Sequence, residues 1–120
     1  MGNSARNYWR WAASRLEGGQ IAEALALVER GLELDADCAD GYLVSARIME
    51  QGGRDGGAIG FYERVVALKP ERSDYWLVLA IAYSQFGDED NAQRCYRRVL
   101  ALEPGHPEAA ALRQAISGEG

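Results

Sequence analysis

Three alanines, Ala24, Ala58 and Ala92, stand 34 residues apart, and the chain around them repeats in step. Tyr8, Tyr42 and Trp76 keep the interval, as do Ala12, Ala46 and Ala80, then Gly19, Gly53 and Gly87, then Leu34, Leu68 and Leu102. Ala36, Pro70 and Pro104 follow it less strictly. A fixed period of this length excludes a single irregular core. It requires supersecondary units that bury their apolar faces only by stacking on one another.

The units begin at residue 5: repeat 1 covers 5–38, repeat 2 covers 39–72 and repeat 3 covers 73–106. Each reads as two helices. In the third, Tyr75, Trp76, Leu79, Ala80, Ala82 and Tyr83 recur at helical spacing, and Gly87 ends the run. Gly18-Gly19 and Gly52-Gly53 stop the corresponding helices, because glycine enters the left-handed conformation without a Cβ penalty. Second helices are expected from near Gln20, Asp55 and Asp88, with the two aspartates as caps. They carry amphipathic sets such as Cys95, Tyr96, Val99 and Leu100, and Pro70 and Pro104 break the chain after them. A last segment, 107–117, opens with proline and Glu108 and reads as a capping helix. Gly41, Gly52, Gly53, Gly56, Gly57 and Gly60 make the middle repeat the weakest, since a glycine within a helix costs about 1 kcal/mol relative to alanine. The turn from Gly52 to Gly57 is expected to be the most mobile internal segment.

In the third repeat, Trp76-x-x-Leu79-Ala80-x-x-Tyr83, then Ala92-x-x-x-Tyr96, then Pro104, resembles the tetratricopeptide repeat. The second repeat keeps Tyr42, Ala46, Ala58, Tyr62 and Pro70, with Ser45 and Met49 at two positions where apolar residues are usual. The first keeps Tyr8, Trp11, Ala12 and Ala24. The resemblance implies an all-α fold: a right-handed α-solenoid of three helix pairs plus the cap, seven helices in one domain over 1–120. It also implies a non-enzymatic interaction module, a scaffold or adaptor.

Composition narrows the partner. The net charge is −5, which disfavours a nucleic-acid ligand and suits a protein or peptide with basic and apolar residues. The longest apolar run, Tyr75 to Tyr83, is far short of the roughly 20 residues of a membrane span. With no leader-like start, a cytoplasmic location is expected. Cys38 and Cys95 have no metal-ligand spacing, His106 is the only histidine, and GGRDGGAIG lacks a phosphate-loop lysine. No catalytic residue, metal or cofactor is expected. Monomers or weak self-association are.

In tetratricopeptide arrays the first helix of each repeat lines a concave groove. By resemblance, the groove here comprises Trp9, Ala13 and Leu16, then Leu43, Arg47 and Glu50, then Leu77, Ile81 and Ser84, closed by Ala111 and Ala115 of the cap. Tyr8, Trp11, Leu79 and Tyr83 are expected to pack between helices, leaving Trp9 as the exposed anchor. Asp40, Asp74 and Glu108 form an acidic column that stabilises helix N-termini and rims the groove. Arg30, Arg64 and Arg98 are expected to favour the C-terminal ends of the second helices. The family's clamp for acidic chaperone tails needs lysine, asparagine and arginine. The corresponding positions here are Trp9, Ala13, Val44, Asp74 and Val78. The alternatives are a chaperone for hydrophobic secreted or membrane-bound segments, and a self-assembling scaffold or a tetratricopeptide part of a larger protein.

Overall fold

The computed structural model describes residues 4–108. Among them are six helices: α1 (Ala5–Glu17), α2 (Ile21–Leu34), α3 (Ala39–Gln51), α4 (Asp55–Leu68), α5 (Ser73–Phe86) and α6 (Glu89–Leu102). The seventh helix expected over 107–117 falls outside the described residues, except for Pro107 and Glu108, which form a turn. None of the described helices is long and apolar enough to cross a membrane.

The glycines act as the periodicity requires. Gly19, Gly53 and Gly87 have φ of 79°, 76° and 96°, a left-handed conformation that reverses the chain between the helices of each pair. The second helices start differently. Asp88 caps α6, its carboxylate accepting from the Asn91 backbone N–H at 3.2 Å and side-chain amide at 2.7 Å. Gln20, at the start of α2, makes no such bond. Gly56, Gly57 and Gly60 lie inside α4.

The helices group into two compact units, Met1–Leu68 and Lys69–Gly120. In the first, α1 packs on α2, α3 on α4, and α3 also contacts α1 and α2. In the second, α5 packs on α6. The six periodic alanines are all at most 1% exposed, which lets paired helices approach closely. Val28 of α2, Val65 of α4 and Val99 of α6 are fully buried, with exposures of 1%, 1% and 0%. Burying each such side chain is worth about 1.5–3 kcal/mol. Ser45, on the buried face of α3, satisfies its hydroxyl by donating to the Gly41 carbonyl at 2.9 Å.

Aromatic side chains tie the first helices to the turns before them. The Tyr42 hydroxyl donates to the Ala36 carbonyl at 2.7 Å, and the Trp76 indole N–H donates to the Pro70 carbonyl at 2.9 Å. Arg64 lies over Tyr42 at 5.2 Å and Arg98 over Trp76 at 5.6 Å. These arginines therefore stack on first-helix rings rather than serve the last helical turn, which carries no basic residue in α4 or α6.

Candidate peptide-binding cleft

Four of the groove residues converge. Ala13 and Leu16 of α1 and Arg47 and Glu50 of α3 line a cleft of about 340 Å³, together with Glu17, Val44 and Gln51. Leu16 and Val44, 5% and 8% exposed, form an apolar floor. Glu17, Arg47 and Gln51 are exposed at the rim, while Ala13 and Glu50 are half-buried. Helical spacing produces this: Ala13 and Glu17 are one turn apart on α1, and Val44, Arg47 and Gln51 share one face of α3.

Glu50 is held in place from behind. The hydroxyl of the buried Tyr62, on α4, donates to its carboxylate at 2.8 Å. Burial pushes the Tyr62 hydroxyl pKa well above its usual value, and the bond to Glu50 adds to the shift. The cleft thus presents two carboxylates, Glu17 and Glu50, against one guanidinium, Arg47.

Trp9 is a correction. The expected exposed anchor is 6% exposed and belongs to the core with Ala12, Leu16, Ala24, Val28, Val44 and Ile48. Its ring fills a notch left by two glycines: a Cβ on Gly41 would stand 2.6 Å from the indole, and one on Gly31 would overlap it. Its N–H donates to Cys38 Sγ at 3.2 Å. Trp11, expected to pack, is instead 41% exposed and meets Tyr8 edge to face at 5.4 Å. Leu43 is half-buried on α3 and does not line the cleft.

Leu77, Ile81 and Ser84 lie along one face of α5 in the second unit, with Ile81 39% exposed. Ser84 donates to Glu89 at 3.2 Å. Ala111 and Ala115 are outside the described residues. In the acidic column, Asp40 is exposed in the first turn of α3 and Glu108 is exposed in a turn. Asp74 is already paired: Arg72 donates to both its carboxylate oxygens, at 3.0 and 2.7 Å, and holds its pKa below the usual carboxylate value. An acidic rim formed by Asp74 is therefore corrected to an exposed ion pair, whose guanidinium also stacks on Tyr75 at 4.4 Å.

Sequence reasoning missed Glu17, Val44 and Gln51 as cleft residues. The signal was present for the polar pair, since Glu17, Gln51 and Gln85 form a polar column at the repeat interval, one turn beyond Ala13, Arg47 and Ile81.

Family comparison agrees with this architecture. Two tetratricopeptide repeat models match the chain, over residues 5–73 and 56–116. The chain belongs to the tetratricopeptide repeat family, whose members are typically interaction modules. No curated protein matches its sequence. Solved structures share the all-α, solenoid-like fold. MamA is 21% identical with a TM-score of 0.81, over 98% of this chain and 70% of that one. The first repeat domain of Spaghetti (RPAP3), bound to the HSP90 peptide SRMEEVD, is 21% identical with a TM-score of 0.81, over 97% and 92%. The Yersinia enterocolitica type III secretion translocator chaperone SycD is 17% identical with a TM-score of 0.76, over 98% and 89%.

Proposed function

We propose that this chain is a peptide-binding adaptor whose working site is the cleft between α1 and α3. The observation that carries this reading is the convergence of Ala13, Leu16, Arg47 and Glu50, far apart in sequence, around one apolar floor. A ligand side chain would rest on Leu16 and Val44. Glu17 and Glu50 would favour a basic residue beside it, and Arg47 would take a backbone carbonyl or a carboxylate. The Leu77, Ile81 and Ser84 face of α5 would offer a second, separate contact. On this reading the chain binds and does not catalyse.

The peptide held by the Spaghetti domain carries two consecutive glutamates and a terminal aspartate. In this chain the carboxylates of Glu17 and Glu50 disfavour such a ligand by like-charge repulsion. The ligand proposed here is apolar and basic instead.

Cross-linking capture from the source lysate tests the site. The native chain is compared with a variant carrying Ala13→Arg, to fill the cleft, and Glu17→Lys, to reverse its rim. A partner retained by the native chain and lost by a variant of equal helicity supports the cleft. Equal retention by both places binding elsewhere.

A further inference from the structure

The three repeats treat one position on their outer side differently. In the first, Arg15 and Glu23 form an ion pair at 3.4 Å. In the third, Arg94 donates to the Asn91 side chain at 3.0 Å. At the corresponding places the second repeat has Met49 for Arg15, Gly57 for Glu23 and Asn91, and Gly60 for Arg94. Polar side chains that cover the position in its neighbours are therefore missing. The result is a hollow of about 500 Å³, lined by Tyr42, Met49, Gly57, Gly60, Phe61 and Arg64. A Cβ on Gly60 would meet nothing within 4 Å.

The walls are aromatic and basic. The rings of Tyr42 and Phe61 stack at 6.1 Å, and Arg64 covers Tyr42 and donates to its hydroxyl at 3.2 Å. A second hollow of about 440 Å³ shares Met49 and includes Ile21, Leu25 and Arg54. Although the chain has 18 acidic residues, no carboxylate among the described residues lines either hollow. The charged side chains described there are Arg64 and Arg54. Such a surface selects a large apolar side chain followed closely by acids.

Among the described residues, four large apolar side chains are exposed: Trp11, Leu34, Ile81 and Phe86. Trp11 lies between Arg10 and Arg15, which Arg64 would repel, and Ile81 has no acid within a helical turn on α5. Leu34 precedes Asp35 and Asp37, but it offers no ring to the stacked walls. Phe86 combines all the features. It is 58% exposed at the end of α5 and is followed by Asp88, Glu89 and Asp90.

We propose that a second copy of this chain docks its α5–α6 corner into this hollow. Phe86 packs against Tyr42 and Phe61, and the acidic run 88–90 faces Arg64. Knob and hollow are different surfaces, so the contact is head-to-tail. It uses the side of α3 opposite the cleft, and the chain associates through it without a peptide ligand.

Sedimentation velocity from micromolar to millimolar concentration tests the contact. The native chain is expected to show a sedimentation coefficient that rises with concentration. Gly60→Glu fills the hollow with a carboxylate, and Phe86→Ser removes the knob. Each variant alone is expected to hold a constant, monomeric coefficient. Mixed, they should form a two-chain species and nothing larger, since each supplies what the other lacks. Gly60→Glu also raises helix propensity, so its melting temperature should not fall, which separates lost docking from lost folding. The proposal is overturned by a concentration-independent native chain, by either variant associating like the native chain, or by a mixture that stays monomeric.

Discussion

The indole of Trp9 lies so close to the backbone of Gly41 that a Cβ there would stand 2.6 Å from the ring. Gly31 approaches it from α2 in the same way. The large residue and the two absent side chains form one packing unit within the first compact unit of the chain.

Gly41→Ala is therefore expected to destabilise. Overpacking of about 1–3 kcal/mol outweighs the ~1 kcal/mol gained in helix propensity. In a Trp9→Leu background the same substitution should become neutral or favourable, because a shorter side chain leaves room. Equilibrium unfolding in guanidinium of the two single variants and the double variant measures the coupling, expected at about 0.5–3 kcal/mol. Additive effects would contradict the packing account.

The repeat interval made most of the fold legible. The helix starts at Ala5, Ala39 and Ser73, the stops at Gly19, Gly53 and Gly87, and the buried alanines all follow from it. Trp9 was misread because a column position was assumed to have the same environment in every repeat. Its partners show otherwise. Gly31 corresponds to Val65 and Val99, and Gly41 to Tyr75, while Trp9 itself corresponds to Leu43 and Leu77. Where the neighbours shrink, the residue grows and sinks inward. Asp74 was misread for a local reason, since Arg72 two residues earlier reaches forward to it.

Tyr62 gives a pH signature. Its hydroxyl pKa, 10.0 for a free tyrosine, is raised in the fold, first by burial and then by Glu50. The native state thus keeps a proton that the unfolded chain releases. The resulting stability is present below about pH 10 and is lost as pH rises above it. Tyr62→Phe should cost about 1 kcal/mol near neutrality and flatten the alkaline decline. Urea midpoints across the alkaline range check both, and an unchanged slope in the variant would contradict them.

Two glycines with equally empty surroundings should respond oppositely to alanine. Gly60, inside α4, has no atom within 4 Å of a new Cβ, so Gly60→Ala should gain about 0.5–1 kcal/mol. Gly53 is equally unobstructed but has φ of 76°, so Gly53→Ala should lose about 1–2 kcal/mol. Thermal melts monitored by circular dichroism distinguish the two, and shifts of the same sign would contradict this reading.

The helix caps allow a matched comparison. Asp88→Ala removes two hydrogen bonds at the start of α6 and should cost about 1 kcal/mol. Gln20→Ala removes no side-chain cap at α2 and should be nearly silent. Amide hydrogen exchange in the first turns of α6 and α2 reads each site separately.

The central claim, a peptide cleft between α1 and α3, is tested most directly by NMR. Peptides selected on the native chain from a random displayed library are titrated into isotopically labelled protein. The account predicts ligands that pair an apolar residue with a basic one, and shifts concentrated at Ala13, Leu16, Glu17, Val44, Arg47 and Gln51. Binding should be lost on Ala13→Arg with Glu17→Lys. Shifts centred elsewhere, or acidic ligands that bind equally well to that variant, would contradict it.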